Sequence, residues 1–335
     1  MKKDLENHTM NSTVKPIAAN SHPEDRPPRR VYDNVAQLVG DPDNPTPMVR
    51  LSERFDPDGR FDLFIKLERN NPFGSIKDRT ALYLLNGTPL REGQVLTEPT
   101  AGNTGIALAA LANARGMPIE LALPDGTPEE KKALLRFLGA GLLEVEDELC
   151  PLFPTEGARG VVKSLVESEA FNGRYVSPNQ YENALNVEAH YRTTGPEIWR
   201  DTQGSVTHFV SAMGTTGTIM GTSRYLKEVN PAIEIVGVTP TEGSSIPGIR
   251  RWPEEYLPSI YEASRVDRTI EVSQEDAERT TLELAAREGI FAGVSSGGAV
   301  AAALSLSAQL EHAVIVAIIC DRGDRYLSTG VFPAE

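Results

Sequence analysis

Short strand-like runs and helix-like segments alternate along this chain, and that alternation restricts it to a few folds. The strand-like runs lie at 63–67, 95–97, 119–123, 142–145, 208–211, 233–238 and 313–319. Helical patterns fall at 81–85, 102–114, 128–138, 160–170, 187–199, from Ile219 onward, and at 299–310. In the second of these, Ala107, Ala110, Leu111 and Ala114 share one face at i, i+3, i+4, i+7 spacing. The pattern predicts an α/β protein with largely parallel sheets. A length of 335 residues suggests about two domains. A boundary at 182/183 gives an N-terminal domain over 31–182 and a C-terminal one over 183–335. Residues 1–30 are polar, hold Pro16, Pro23, Pro27 and Pro28, and lack the apolar stretch of a secretory signal. They read as a disordered tail.

Charge removes other classes. The 33 basic and 47 acidic residues leave a net charge of −14, which argues against a nucleic-acid partner. No apolar run is long enough for a membrane span. Cys150 and Cys320 are too few for a disulfide framework, which fits a reducing cytoplasm.

Five segments carry chemistry. Asn71-Pro72-Phe73-Gly74-Ser75-Ile76-Lys77 is a turn leading into a helix, with Ser75 placed as its N-cap. Lys77 then sits where the helix dipole and burial both disfavour an ammonium, as a Schiff-base lysine requires. Read alone, the segment equally suits a solvated first-turn lysine. Thr100-Ala101-Gly102-Asn103-Thr104 joins a strand end to a helix start and suits an anion such as a carboxylate, although a plain capped helix has the same pattern. Gly214-Thr215-Thr216-Gly217-Thr218 is a phosphate cup without the lysine of a Walker loop, so it must hold its anion by neutral donors. In Gly293-Val294-Ser295-Ser296-Gly297-Gly298, Ser295 precedes a helix as a cap would. Arg250-Arg251 follows the loop residues Gly243, Pro247 and Gly248; a solvated pair is its ordinary reading. Cys320 ends a strand, where open α/β sheets gather their active sites, but a Cys there is as often a small buried apolar residue.

Together these segments resemble the pyridoxal-phosphate enzymes of the tryptophan-synthase β-subunit fold, and more narrowly the cysteine synthases. The resemblance runs from about 43 to 332. It is nearest the B-type O-acetylserine sulfhydrylases, through His190-Tyr191, Thr193-Thr194-Gly195-Pro196-Glu197-Ile198-Trp199, and the runs 242–253 and 317–332. It implies two domains, each with a mainly parallel twisted sheet flanked by helices, and pyridoxal 5′-phosphate in the cleft between them. It implies that Lys77 carries the cofactor and acts as base at Cα. Asn103 would meet the cofactor's 3′-oxygen, Gly214, Thr215, Thr216, Gly217 and Thr218 its phosphate, and Ser295 its pyridine nitrogen. Thr100, Ala101, Gly102, Thr104 and Gln180 would hold the substrate carboxylate. Arg250 and Arg251 would face the entrance, and Cys320 would line the second-substrate pocket. Ala101 stands where the family has serine, and Pro45 is inserted between Asn44 and Thr46.

The implied reaction is β-replacement of O-acetyl-L-serine by sulfide, giving L-cysteine and acetate. Thiosulfate is a further implied donor, giving S-sulfocysteine, and a cytoplasmic homodimer is the implied assembly. Neighbours of the same fold, an O-phosphoserine sulfhydrylase or a cystathionine β-synthase, are the alternatives. A non-catalytic relative and a plain anion-binding protein are the remaining ones.

Overall fold

A computed structural model describes residues 31–56, 59, 61–146, 153 and 155–332. The tail over 1–30 and Cys150 lie outside them. The last strand, β10 (Ala313–Ile319), is apolar on both faces, which only a strand covered on both sides can satisfy. It lies inside a six-stranded sheet with the order β1 (Met48–Arg50), β2 (Phe61–Leu67), β10, β7 (His208–Ala212), β8 (Glu234–Pro240), β9 (Arg268–Val272). Every pairing is parallel except that of the edge strand β1 with β2. Helices α8 (Gln274–Glu288) and α9 (Val294–Ser307) cover one face, packing Leu284, Val300 and Leu306 on Ile65, Val236 and Ile315. Helices α6 (Thr194–Asp201) and α7 (Gly217–Val229) cover the other, packing Ile198, Ile219 and Leu226 on Phe209, Ile235 and Val316.

A second sheet is all parallel, with the order β5 (Gly141–Val145), β4 (Ile119–Pro124), β3 (Val95–Pro99), β6 (Tyr175–Val176). On one face lie α1 (Lys77–Asn86), α2 (Asn103–Ala114) and α3 (Glu129–Phe137), which bury Leu85, Ile106 and Leu135 against Leu96, Leu121 and Leu123. On the other, α4 (Gly157–Glu167) sets Ala158 and Val162 on Ala122. The remaining helix, α5 (Leu185–Arg192), packs against α1 and α7.

The α/β class with parallel sheets holds. A cut at 182/183 does not follow the sheets, because β1 and β2 belong to the sheet built from residues beyond 207. The pairing of 61–67 with 313–319 supplies the covered neighbour that Leu63, Ile65 and Leu67 need. The helix expected over 187–199 is two helices. Pro196 has no N–H for the carbonyl of Arg192, so a continuous helix would lose that bond, and the chain turns at Thr193 (φ −123°, ψ −70°). Ser75 stands one residue before the N-cap of α1, which is Ile76; its Oγ accepts from the Lys77 N–H at 3.2 Å. Helix α8 is absent from the pattern read in the sequence. It carries a Ser273 cap on the Asp276 N–H at 3.0 Å and a left-handed Gly289 at its end.

Candidate active site

The carboxyl ends of β2, β3, β7 and β10 open onto one cavity of about 760 Å³. Lys77, Thr100, Ala101, Gly102, Asn103, Thr104, Gln180, Gly214, Thr215 and Arg250 all line it. Backbone pairing fixes the loop before the lysine, since Ser75 bridges Asp321 and the Ile76 N–H donates to the Cys320 carbonyl at 2.8 Å. Lys77 is the first residue of α1, and its Nζ donates to Thr215 Oγ1 at 3.0 Å. Burial lowers its pKa to about 8. The amine therefore gives up its proton around pH 8 and not near 10.5, so a neutral fraction is available to act as base or nucleophile.

The loop after β3 is built around Glu98. This fully buried carboxylate accepts from the N–H groups of Gln180 and Asn179, each at 3.0 Å, and from Ser177 Oγ at 3.0 Å. Burial raises its pKa while those donors oppose the rise. Gln180 is thereby set beside α2, where Thr104 Oγ1 donates to its Oε1 at 2.7 Å. Thr100 Oγ1 accepts from the Gly102 N–H at 3.3 Å.

Asn103 is held from both ends of its amide. Its Nδ2 donates to Asp321 Oδ2 at 2.7 Å, and its Oδ1 accepts from Arg325. Tyr326 also donates to Asp321 Oδ2, at 2.6 Å, whereas the buried Asp321 Oδ1 has no partner among the described residues. Burial raises the Asp321 pKa. Asp321, Arg325 and Tyr326 are functional candidates that the residue-by-residue reading missed. Their signal lay in the run 317–332, which carried a resemblance without assigned roles.

The cup between β7 and α7 has the geometry of an anion site. Thr216 is held at φ +70°, a region uncommon for a non-glycine residue, and its buried Oγ1 has no partner among the described residues. A Cβ on Gly214 would come 2.7 Å from the Gly248 carbonyl, so the 247–252 loop closes directly over the cup. Trp252 ties that loop down by donating from Nε1 to the Gly214 carbonyl at 2.7 Å.

Ser295, Thr216, Gly217, Thr218, Arg251 and Cys320 do not line the cavity wall itself. Ser295 is buried just behind Gly248, whose Cβ, if built, would lie 3.3 Å from the serine Oγ. Ser295 also hydrogen-bonds Cys320, whose thiol is pushed up to about 12 by burial and by Asp321 and so is protonated at neutral pH. The two arginines part company. Arg250 faces the cavity and has no carboxylate partner among the described residues, whereas Arg251 pairs with Glu271 at 2.6 Å.

A pyridoxal phosphate fits these residues. An unpartnered buried hydroxyl and a helix start sit at the cup, a depressed lysine stands beside it, and the cavity has the size of a cofactor with a small substrate. The family model described as pyridoxal-phosphate dependent enzyme matches residues 39–321. Cysteine synthase B of Pseudomonas aeruginosa is 54% identical over 305 residues, covering 90% of this chain and 98% of that one. Cysteine synthase B of Escherichia coli is 52% identical over 305 residues, covering 90% and 96%. The crystal structure of cysteine synthase from Entamoeba histolytica superposes with a TM-score of 0.82 at 31% identity, covering 96% and 95%. An O-ureido-L-serine synthase structure gives 0.81 at 30% identity, covering 90% and 96%. The chain belongs to the pyridoxal-phosphate dependent enzymes and, within them, to the cysteine synthases.

Proposed function

We propose that this enzyme makes L-cysteine from O-acetyl-L-serine and sulfide by replacement at Cβ. The observation that carries the reading is the Lys77 amine, lowered to about 8 and aimed at Thr215 beside a carboxylate-sized loop. When bound, pyridoxal phosphate supplies the electron sink for loss of the Cα proton and of a leaving group at Cβ. The protein does the rest. Lys77 holds the cofactor and moves the proton at Cα. The Thr100–Thr104 loop and Gln180 orient the substrate carboxylate, with Ala101 contributing backbone only. Asn103, fixed by Asp321 and Arg325, would meet the cofactor's 3′-oxygen, and the cup from Gly214 to Thr218 would take the phosphate. Ser295 would offer the pyridine nitrogen a neutral hydroxyl where an aspartate would offer a charge. Cys320, behind the cavity wall with its thiol protonated, is not a nucleophile.

The test is cysteine formation from O-acetylserine and sulfide by the purified holoprotein. An inactive holoprotein, or one that prefers O-phosphoserine, would sink the assignment. A homodimer in the cytoplasm rests on the resemblance, and sedimentation velocity addresses its first half.

A second sulfur donor is favoured by Arg250, a cavity-facing cation without a carboxylate partner. Thiosulfate is a dianion, and charge-assisted bonds in a partly closed site contribute about 1.5–3 kcal/mol. Arg250→Ala should lower kcat/KM for thiosulfate roughly tenfold or more and for sulfide much less. Equal losses for both donors would assign Arg250 to loop closure.

A further inference from the structure

Helices α5 and α7 approach unusually closely. A Cβ on Gly217 would fall 2.1 Å from Asn186 Oδ1, and one on Gly221 would fall 2.1 Å from the Val187 carbonyl and 2.7 Å from His190 Cβ. Only glycine permits this contact, and the two glycines stand one turn apart on α7. Facing them, Asn186 and His190 stand one turn apart on α5, and both are wholly buried. Neither has a role in the reaction as described.

Their hydrogen bonds fix one direction of donation. The Gln180 carbonyl can only accept, so Asn186 turns Nδ2 toward it, at 2.8 Å, and the same group reaches Thr215 Oγ1 at 3.1 Å. Asn186 Oδ1 then faces Thr80, whose hydroxyl must donate to it, at 3.0 Å. Having spent its proton, Thr80 can only accept from His190 Nε2, 3.3 Å away, so Nε2 carries the hydrogen. Nδ1 accepts from Thr194 Oγ1 at 2.9 Å, and the ring is neutral. Burial, with Lys77 and Arg79 adding, lowers the His190 pKa to about 3 and agrees with that form. The Nε2 hydrogen also faces Thr218 Oγ1 at 3.3 Å. Thr218 therefore accepts from the ring, and Thr215 accepts from Asn186 and Lys77. Each cup hydroxyl keeps its own hydrogen for another acceptor.

We infer that Asn186, Thr80 and His190 form a relay that sets the Thr215 and Thr218 hydroxyls as donors to the cofactor phosphate. A phosphate dianion only accepts hydrogen bonds, and this cup has no cation of its own. A threonine donating inward to the imidazole would turn lone pairs toward the anion. The relay rests on the reading of Gly214–Thr218 as the phosphate site. Asn186 and His190 are positioning residues that touch the cup and not the reacting atoms.

Equilibrium binding of pyridoxal phosphate to the apoprotein tests this, with pyridoxal, which lacks the phosphate, as the comparator. His190→Phe should weaken pyridoxal phosphate about tenfold or more and leave pyridoxal nearly unchanged. His190→Gln, whose amide can still donate toward Thr218, should recover most of the loss. In a Thr218→Val background, His190→Phe should add nothing further, whereas a packing role predicts that the losses multiply. The phosphorus resonance of the bound cofactor should shift in His190→Phe. If that variant does not fold, the near-isosteric Thr80→Val, which releases the tautomer, should weaken pyridoxal phosphate a few-fold with pyridoxal unchanged. Multiplying losses, equal losses for the two ligands, or an unaffected Thr80→Val would overturn the relay. Unchanged affinity in Thr218→Val alone would instead overturn the phosphate cup.

Discussion

Lys77 and Arg79 lie two residues apart on α1 and live in opposite electrostatic regimes. Arg79 is wholly buried and spends its guanidinium on Glu68, at 2.7 Å and 2.9 Å, on Glu197, on Thr46 and on the Gly40 carbonyl. Lys66 completes the cluster by pairing with Glu197 at 2.8 Å, so two cations and two carboxylates are sealed together with every charge matched. Lys77 has no carboxylate partner among the described residues. Its amine meets a hydroxyl and a neutral thiol, and its pKa falls where that of Arg79 rises. Desolvation presses on both side chains, and the counter-charges decide the outcome. A matched buried cation holds the backbone of the helix, whereas an unmatched one at its tip is left free to change protonation.

The largest expected effect separates these roles. Lys77→Ala should abolish turnover, since general-base help alone is worth roughly 10²–10⁴-fold. Its urea midpoint should match or exceed that of the parent, because a poorly solvated amine is removed. Near-normal turnover would overthrow the mechanism. Arg79→Met should do the reverse. Stranding Glu68 and Glu197 without their cation should cost about 3–5 kcal/mol of stability, measured by urea unfolding. A loss under about 1 kcal/mol would show that the carboxylates escape to water or take up protons cheaply.

Two pH experiments sharpen the contrast. Burial alone would raise the Glu68 pKa, but Arg79 and then Lys66 hold it down at about 2. Its folded value lies below its ordinary one, so the stability it contributes is complete above about pH 4.5 and drains away as pH falls towards 2. Arg79→Met should flatten that acid limb. For Lys77 the neutral amine is the reactive form. Its acylation by a small anhydride in the apoprotein, followed by mass spectrometry, should rise with pH through about 8 and then level off. A rise that continues to the ordinary lysine range near 10.5 would place the amine in water. The smallest effect belongs to Arg251, which is half exposed and already paired. Arg251→Ala should change stability by less than about 1 kcal/mol and leave donor preference intact.

How much of this was legible in the sequence follows from the range of the interactions. Three of the glycine or threonine turns could be read because each is a local strand–turn–helix junction, after β2, β3 and β7 beside one cavity, whereas the fourth, at 293–298, joins α8 to α9 and forms the first turn of α9. The apolar runs at 119–123 and 313–319 needed no partner to be recognised as strands. The placement of 61–67 beside 313–319 depends on a pairing across the whole chain, and no local pattern encodes it. The turn at Thr193 was signalled by Pro196 and passed over because the flanking apolar spacing continues. Ser273 and Gly289 likewise mark α8 by rules that were available. The sealed cluster was out of reach, because an arginine and three other charged residues read as surface until their partners, up to 151 positions away through Thr46 and Glu197, are known. Arg250 and Arg251 are indistinguishable neighbours in sequence, and only Glu271 tells them apart.

The cavity lining has a kinetic consequence. Lys77, Lys131, Arg250, Arg322 and Arg325 face it against Glu130 and Asp324, in a chain whose formal net charge is −14. The mouth is thus a local positive region in an otherwise repulsive field. Anionic reactants approaching by diffusion are turned away over most of the surface and drawn in at one opening. Such guidance acts on encounter and fades as added salt shortens the reach of the field, to about 10 Å at 0.1 M ionic strength. The second-order rate for an anionic donor should therefore fall with salt while the first-order rate of the loaded enzyme stays level.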